Sequence, residues 1–235
     1  MDDRPGSRPI TPEATIGPFY PGIFLTHTPQ DLWTVAPLVA HHPEGQPVVL
    51  ALRFIDALKQ PVPSLVVEFW QANASGRYRH PRDRSAAPLD PQFDGFARLR
   101  TADDGTMRFC TIRPGAHPVM EREALRLARP EPVEGRARSG QALPERVGEG
   151  GVLRAPHLRL TIFASGIDRL VTQIFFDDEP LNASDPVLNS IPEASVRDRL
   201  IAVRRRAADA RGPVEYALDV VLRGEGETPF FDDWY

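Results

Sequence analysis

The chain has 235 residues, of which 41% are hydrophobic and 26% charged, and its formal net charge is −4. That length and balance suit one sizeable sandwich or barrel domain and exclude a general basic field for recruiting DNA or an anionic membrane. The 25 prolines argue against a helical bundle, and Cys110, the lone cysteine, leaves no internal disulfide to form.

The N-terminal MDDRPGSRPI lacks an apolar signal core, and no apolar run approaches membrane-spanning length, so a cytoplasmic location is expected. Residues 1–10 read as a polar flexible tail. Residues 11–235 read as one domain. Its first stretch, Thr11 to Pro21, has three prolines and a glycine that fix an extended or turning path. Two readings stay open there: an arm tying the terminus down, or a loop lining a pocket or subunit contact. Phe24 to His42 shows no clean period and reads as irregular structure.

Strands begin with Val48 to Asp56, and Gln60 to Ser64 turns the chain into the next, VVEFWQ from Val66. Its β-branched and aromatic residues suit a sheet. Asn73-Ala74-Ser75-Gly76 then breaks the strand, and Tyr78 follows between Arg77 and Arg79. A phenol beside cations is a candidate metal ligand or substrate contact, although packing is the commoner role of such a tyrosine. After a Pro/Asp-rich loop over residues 81–95, strands Phe96–Thr101 and Met107–Ile112 flank Asp103-Asp104-Gly105, a hairpin signal.

Residues 121–151 hold six Glu and six Arg with scattered Gly and Pro, too little apolar surface to order themselves. They read as a charged flexible insertion, tolerable because loop-closure cost grows slowly with length. His157–Ala164, Leu170–Phe176 and Tyr216–Arg223 are further strands, so the expected fold is all-β, an antiparallel β-sandwich with long loops. One helix is expected near residues 191–207. Ser190 and Glu193 fit a capping box, Val196, Leu200 and Val203 keep helical spacing, and Arg204–Arg206 sit where a helix dipole favours cations.

Several motifs together resemble one family. They are Ile55-Asp56, Val67 to Asn73, Gly76-Arg77-Tyr78-Arg79-His80, Ala87-Pro88-Leu89-Asp90, Thr111 to Gly115, Pro156-His157-Leu158 and Gln173 to Glu179. From about Thr11 to the C-terminus, the insertion aside, the chain resembles the intradiol ring-cleavage dioxygenases. The likeness is strongest to members that cleave protocatechuate with O2 through two homologous sandwich chains, α and β, in a hetero-oligomer.

The resemblance implies that the β chain holds Fe(3+) with two tyrosines and two histidines, hard phenolates suiting a hard trivalent cation. By motif, the first tyrosine is Tyr78. The second falls on His117, and the paired histidines fall on His157 and Arg159. A guanidinium has no lone pair to give and repels a cation, so no metal is expected on this chain and no catalytic residue in it alone. Iron is expected on a partner β chain.

Further likeness points to α. Thr15-Ile16-Gly17-Pro18-Phe19 resembles the arm by which α chains line the active-site entrance, and Gln173–Asn189 and Gly224–Asp232 follow the α pattern. The resemblance thus implies a pocket or interface role for Thr15, Gly17, Pro18, Phe19 and Ser165. Phe19 lacks the usual tyrosine hydroxyl. Ser165 stands where an arginine near the substrate carboxylate is common, which leaves Arg154 or the β chain to attract the acid group. Two alternatives stay open: a self-sufficient enzyme with Tyr78, His117 and His157 as an altered metal set, and a non-catalytic binding module.

Overall fold

A computed structural model describes residues 43–119, 152–164, 167–205 and 213–231. The expected arm at 11–21 and the whole insertion at 121–151 lie outside them. The strands are β1 (Pro47–Ile55), β2 (Val66–Gln71), β3 (Phe96–Arg100), β4 (Thr106–Ile112), β5 (His117–Pro118), β6 (Leu153–Arg154), β7 (His157–Ala164), β8 (Ile167–Phe176), β9 (Ile201–Arg205) and β10 (Val214–Val221). They run side by side in the order β3-β2-β7-β8-β9-β10-β1-β4, with β5 and β6 paired separately.

This sheet folds over on itself at β9. The first half of β9 pairs with β8 (Phe175 opposite Ile201), the second half with β10 (Ala217 opposite Val203). Strands from opposite ends of the order therefore meet face to face, and the rings of Phe69 on β2 and Phe109 on β4 lie 4.4 Å apart. Between the layers Leu50, Leu52, Phe54, Val67, Phe69, Leu158, Leu160, Ile174, Phe176 and Tyr216 form one buried cluster. Each large apolar side chain sealed there contributes about 1.5–3 kcal/mol. The architecture is the expected β-sandwich, with most neighbouring strands antiparallel. Two pairs, β1 with β10 and β8 with β9, are parallel.

Two local expectations are overturned. The turn at Asp103–Gly105 forms, with Gly105 at φ +71° and its N–H donating to Ala102 O, but it is no hairpin. β3 pairs with β2 in one layer, β4 with β1 in the other, so the turn crosses the sandwich. The long helix near 191–207 is also absent. Ala194–Arg197 makes one helical turn whose N-cap, Glu193, has no side-chain cap bond, and a 3-10 turn, Asp198–Leu200, follows. From Ile201 the chain is strand β9, because Ile201 and Ala202 pair with β8 and Arg204–Arg205 with β10. Tertiary pairing overrides a helical spacing of three residues. The capped helix start lies earlier: Asp185 caps the short helix Pro186–Asn189, accepting from the N–H of Val187 (2.9 Å) and Leu188 (3.1 Å).

Candidate functional site

Tyr78 and His117 stand on two loops that are clasped together. Asn73 lies two residues past β2, and its Oδ1 accepts from the N–H of Ser75 (3.0 Å) and Arg77 (2.9 Å), closing the turn. Its backbone carbonyl accepts from Gly76 and from Gly115 of the second loop. The approach is so close that a Cβ at Gly115 would lie 2.3 Å from Ala74 O. One at Gly76, where φ is +78°, would lie 2.0 Å from Ala116 O. Only glycine serves at both places.

The clasp turns Tyr78 toward His117. Tyr78 is buried, its N–H donates to Asp83 Oδ2 (2.7 Å), and its hydroxyl lies 3.4 Å from His117 Nε2. Arg77 and Arg79, which flank it in sequence, are committed elsewhere. Arg77 bonds Ala87 O, and Arg79 bonds Asp94 and the carbonyls of Asp90 and Pro91. Those arginines fasten the 81–95 loop.

His117 opens β5 and pairs with Arg154 of β6. His157 opens β7, and its ring centroid is 5.3 Å from that of His117. Carbonyl oxygens only accept, so each imidazole carries its proton on Nδ1. His117 donates to Pro118 O (2.9 Å) and His157 to Ala155 O (2.7 Å). In a neutral ring Nε2 is then the lone-pair nitrogen, and that of a neutral His117 accepts from the Tyr78 hydroxyl. Burial, foremost, pushes the basicity of His157 well down. The charge of Arg154 and the ring of His117 add to this, the Ala155 bond opposes it, and Arg159 adds again. His157 is therefore neutral at pH 7.

Arg159 follows His157 by two residues on β7 and so points from the same face, opposite Gln173 of β8 and Trp70 of β2. Arg154 is fully buried. Its Nε donates to Asp185 Oδ2 (2.9 Å) and an Nη to Gln173 Oε1 (2.5 Å). The suggestion that Arg154 attracts a substrate carboxylate is thereby corrected, since its charge is met inside the protein. Thus Tyr78, His117, His157 and Arg159, four positions spread over 82 sequence numbers, share one site. Thr15, Gly17, Pro18, Phe19 and Ser165 lie outside the described residues. Reasoning from sequence missed Asp185, although Asp185-Pro186 is a helix-start signal.

The chain matches a family model described as Dioxygenase over residues 17–224. It is 36% identical over 189 residues to the protocatechuate 3,4-dioxygenase beta chain of Burkholderia cepacia, spanning 80% of this chain and 68% of that one. It is 32% identical over 229 residues to the alpha chain of the same organism, spanning 94% and 96%. Its fold resembles that of 3-chlorocatechol 1,2-dioxygenase from Rhodococcus opacus 1CP, with a TM-score of 0.54 over 92% of this chain and 69% of that one, at 18% identity.

Proposed function

This chain belongs to the intradiol ring-cleavage dioxygenase family, and on that premise we propose that it is the alpha, non-iron-binding subunit of a protocatechuate 3,4-dioxygenase. The two-chain enzyme serves aromatic catabolism, adding both atoms of O2 to protocatechuate to give 3-carboxy-cis,cis-muconate. The ferric iron belongs to the beta chain. Identity alone does not separate the two roles, because the match to a beta chain has the higher identity and the match to an alpha chain the fuller coverage. The residues of the site favour the alpha reading.

What carries the reading is Arg159. Its side chain leaves β7 on the face of His157, and its charge already bears on that imidazole. Ferric iron asks for hard anionic donors. The cluster offers one phenol in Tyr78, the imidazoles of His117 and His157, and a fixed cation at the fourth position. That set does not fit a trivalent ion, and no step on this chain runs through one. Its part is to wall the pocket and to bury a large face against the beta chain.

A second reading has one observation in its favour. Both histidines turn Nδ1–H to a carbonyl, which leaves Nε2 to a ligand when the ring is neutral, and the Tyr78 phenol stands beside that of His117, a set that suits a borderline divalent metal in a self-sufficient enzyme. Producing the chain with and without a beta chain, then measuring iron content and the visible phenolate-to-iron absorption, separates the two. The alpha reading expects the chain alone to be poorly soluble and colourless, and iron to follow the beta chain. A coloured, iron-loaded, active preparation of this chain by itself overturns it.

A further inference from the structure

One buried carboxylate anchors the Arg154–Ala155 segment that leads into His157. Asp185 is fully buried, and its two oxygens do different work. Oδ1 caps the helix Pro186–Asn189, which fixes where the carboxylate stands. Oδ2 accepts from the Ala155 N–H (2.8 Å) and from Arg154 Nε (2.9 Å). The carbonyl of Ala155 in turn accepts from His157 Nδ1 (2.7 Å), and Arg154 is the residue paired with His117 across β5 and β6. Ala155 N–H and Ala155 O lie on adjoining peptide planes, and Pro156, which follows, restricts the rotation between them, so a rigid acceptor on the N–H limits how far the carbonyl can turn from His157.

We propose that Asp185 is the positioning residue of the site, holding the Arg154–Ala155 segment so that Ala155 O locks His157 in its Nδ1–H tautomer. Outer hydrogen bonds of this kind commonly set which nitrogen of a functional imidazole carries the proton. The inference takes the Tyr78–His117–His157–Arg159 cluster as the site read above. Its readout is the state of one ring, so it can fail while that reading stands.

The test separates the reach of residue 185 from its charge and its cap. R154M/D185N removes both buried charges and keeps an oxygen long enough for Ala155 N–H. R154M/D185S also removes both charges and keeps a good N-cap, but its hydroxyl is too short to reach Ala155. Each is made as the full chain with 15N-labelled histidine, purified with any partner that accompanies it, and read by 15N NMR. An H157Q spectrum assigns the signal. Wild type and R154M/D185N should show His157 protonated at Nδ1, and in R154M/D185S the Nε2–H share should rise by roughly fivefold or more. An unchanged ratio in the folded serine variant, or an equal loss in both variants, overturns the proposal. Hydrogen exchange at the wild-type Ala155 amide needs no variant. Slow exchange is expected, and exchange as fast as in open loops overturns the proposal.

Discussion

Two arginine clusters hold the His117 loop, and they differ in how much water each sees. Arg154, on the strand paired with His117, is sealed with Asp185, both side chains at 0% exposure. Arg113, four residues before His117, spans the rim. It donates to Asp178 (2.7 Å), the Tyr216 hydroxyl (2.8 Å) and Glu179 (3.1 Å), and its guanidinium lies 4.8 Å from the Phe176 ring centroid. Its side chain is 17% exposed and that of Asp178 35%. The contrast teaches that counting ion pairs misjudges them. A sealed pair adds little over apolar residues of the same shape but is costly to break, whereas a wet pair can lose a partner cheaply.

The sealed pair gives the largest expected effect. Asp185→Ala strands the Arg154 charge without water and removes a helix cap, and should cost about 3–5 kcal/mol in denaturant unfolding. R154M/D185N, which removes both charges, should lose less than the single change. Equal losses would break the contrast by showing that the pair itself stabilises. Second in size is a change that touches no charge. Gly115→Ala drives a Cβ to within 2.3 Å of Ala74 O, a backbone atom that cannot swing aside, and should cost about 2–3 kcal/mol. A loss under about 0.5 kcal/mol, the range of ordinary surface changes, would mean that the clasp yields and the arginines alone place the loop.

How much of this was legible in the sequence follows the range of each interaction. His157–Ala164 reads as a strand because its alternation is a local consequence of lying in a sheet, and the structure gives it the same ends. Tyr78, His117, His157 and Arg159 were legible as one site through motif likeness, and the structure brings them together. Local signals failed where a distant strand decided the outcome. Val196, Leu200 and Val203 keep helical spacing, but β8 and β10 claim the chain from Ile201. Asp103–Gly105 looks like a hairpin because nothing local tells whether two strands share a layer. The charges around Tyr78 misled for the same reason, since Arg77 and Arg79 bond to carbonyls ten or more residues ahead.

The rim supplies the smallest effect and the sharpest discriminator. Arg113→Met keeps an apolar stem over Phe176 but gives up the bonds to two partly hydrated carboxylates, for about 1–2 kcal/mol. Salt should shrink that loss and leave the Asp185→Ala loss nearly unchanged, because screening acts where ions can reach. Acid should shrink it too. Burial raises the proton affinity of Asp178, but bonds from Arg113 and Tyr216 outweigh it and hold its carboxyl below the usual carboxylate range. A depressed folded value means that stability is fully present above the unfolded value of about 3.9 and is lost as pH falls from there through the lower folded value. The gap in unfolding free energy between wild type and R113M should therefore begin to narrow as pH falls below about 4. If the gap between them ignores both salt and acid, the rim cluster is as sealed as the interior one, and the contrast between them dissolves.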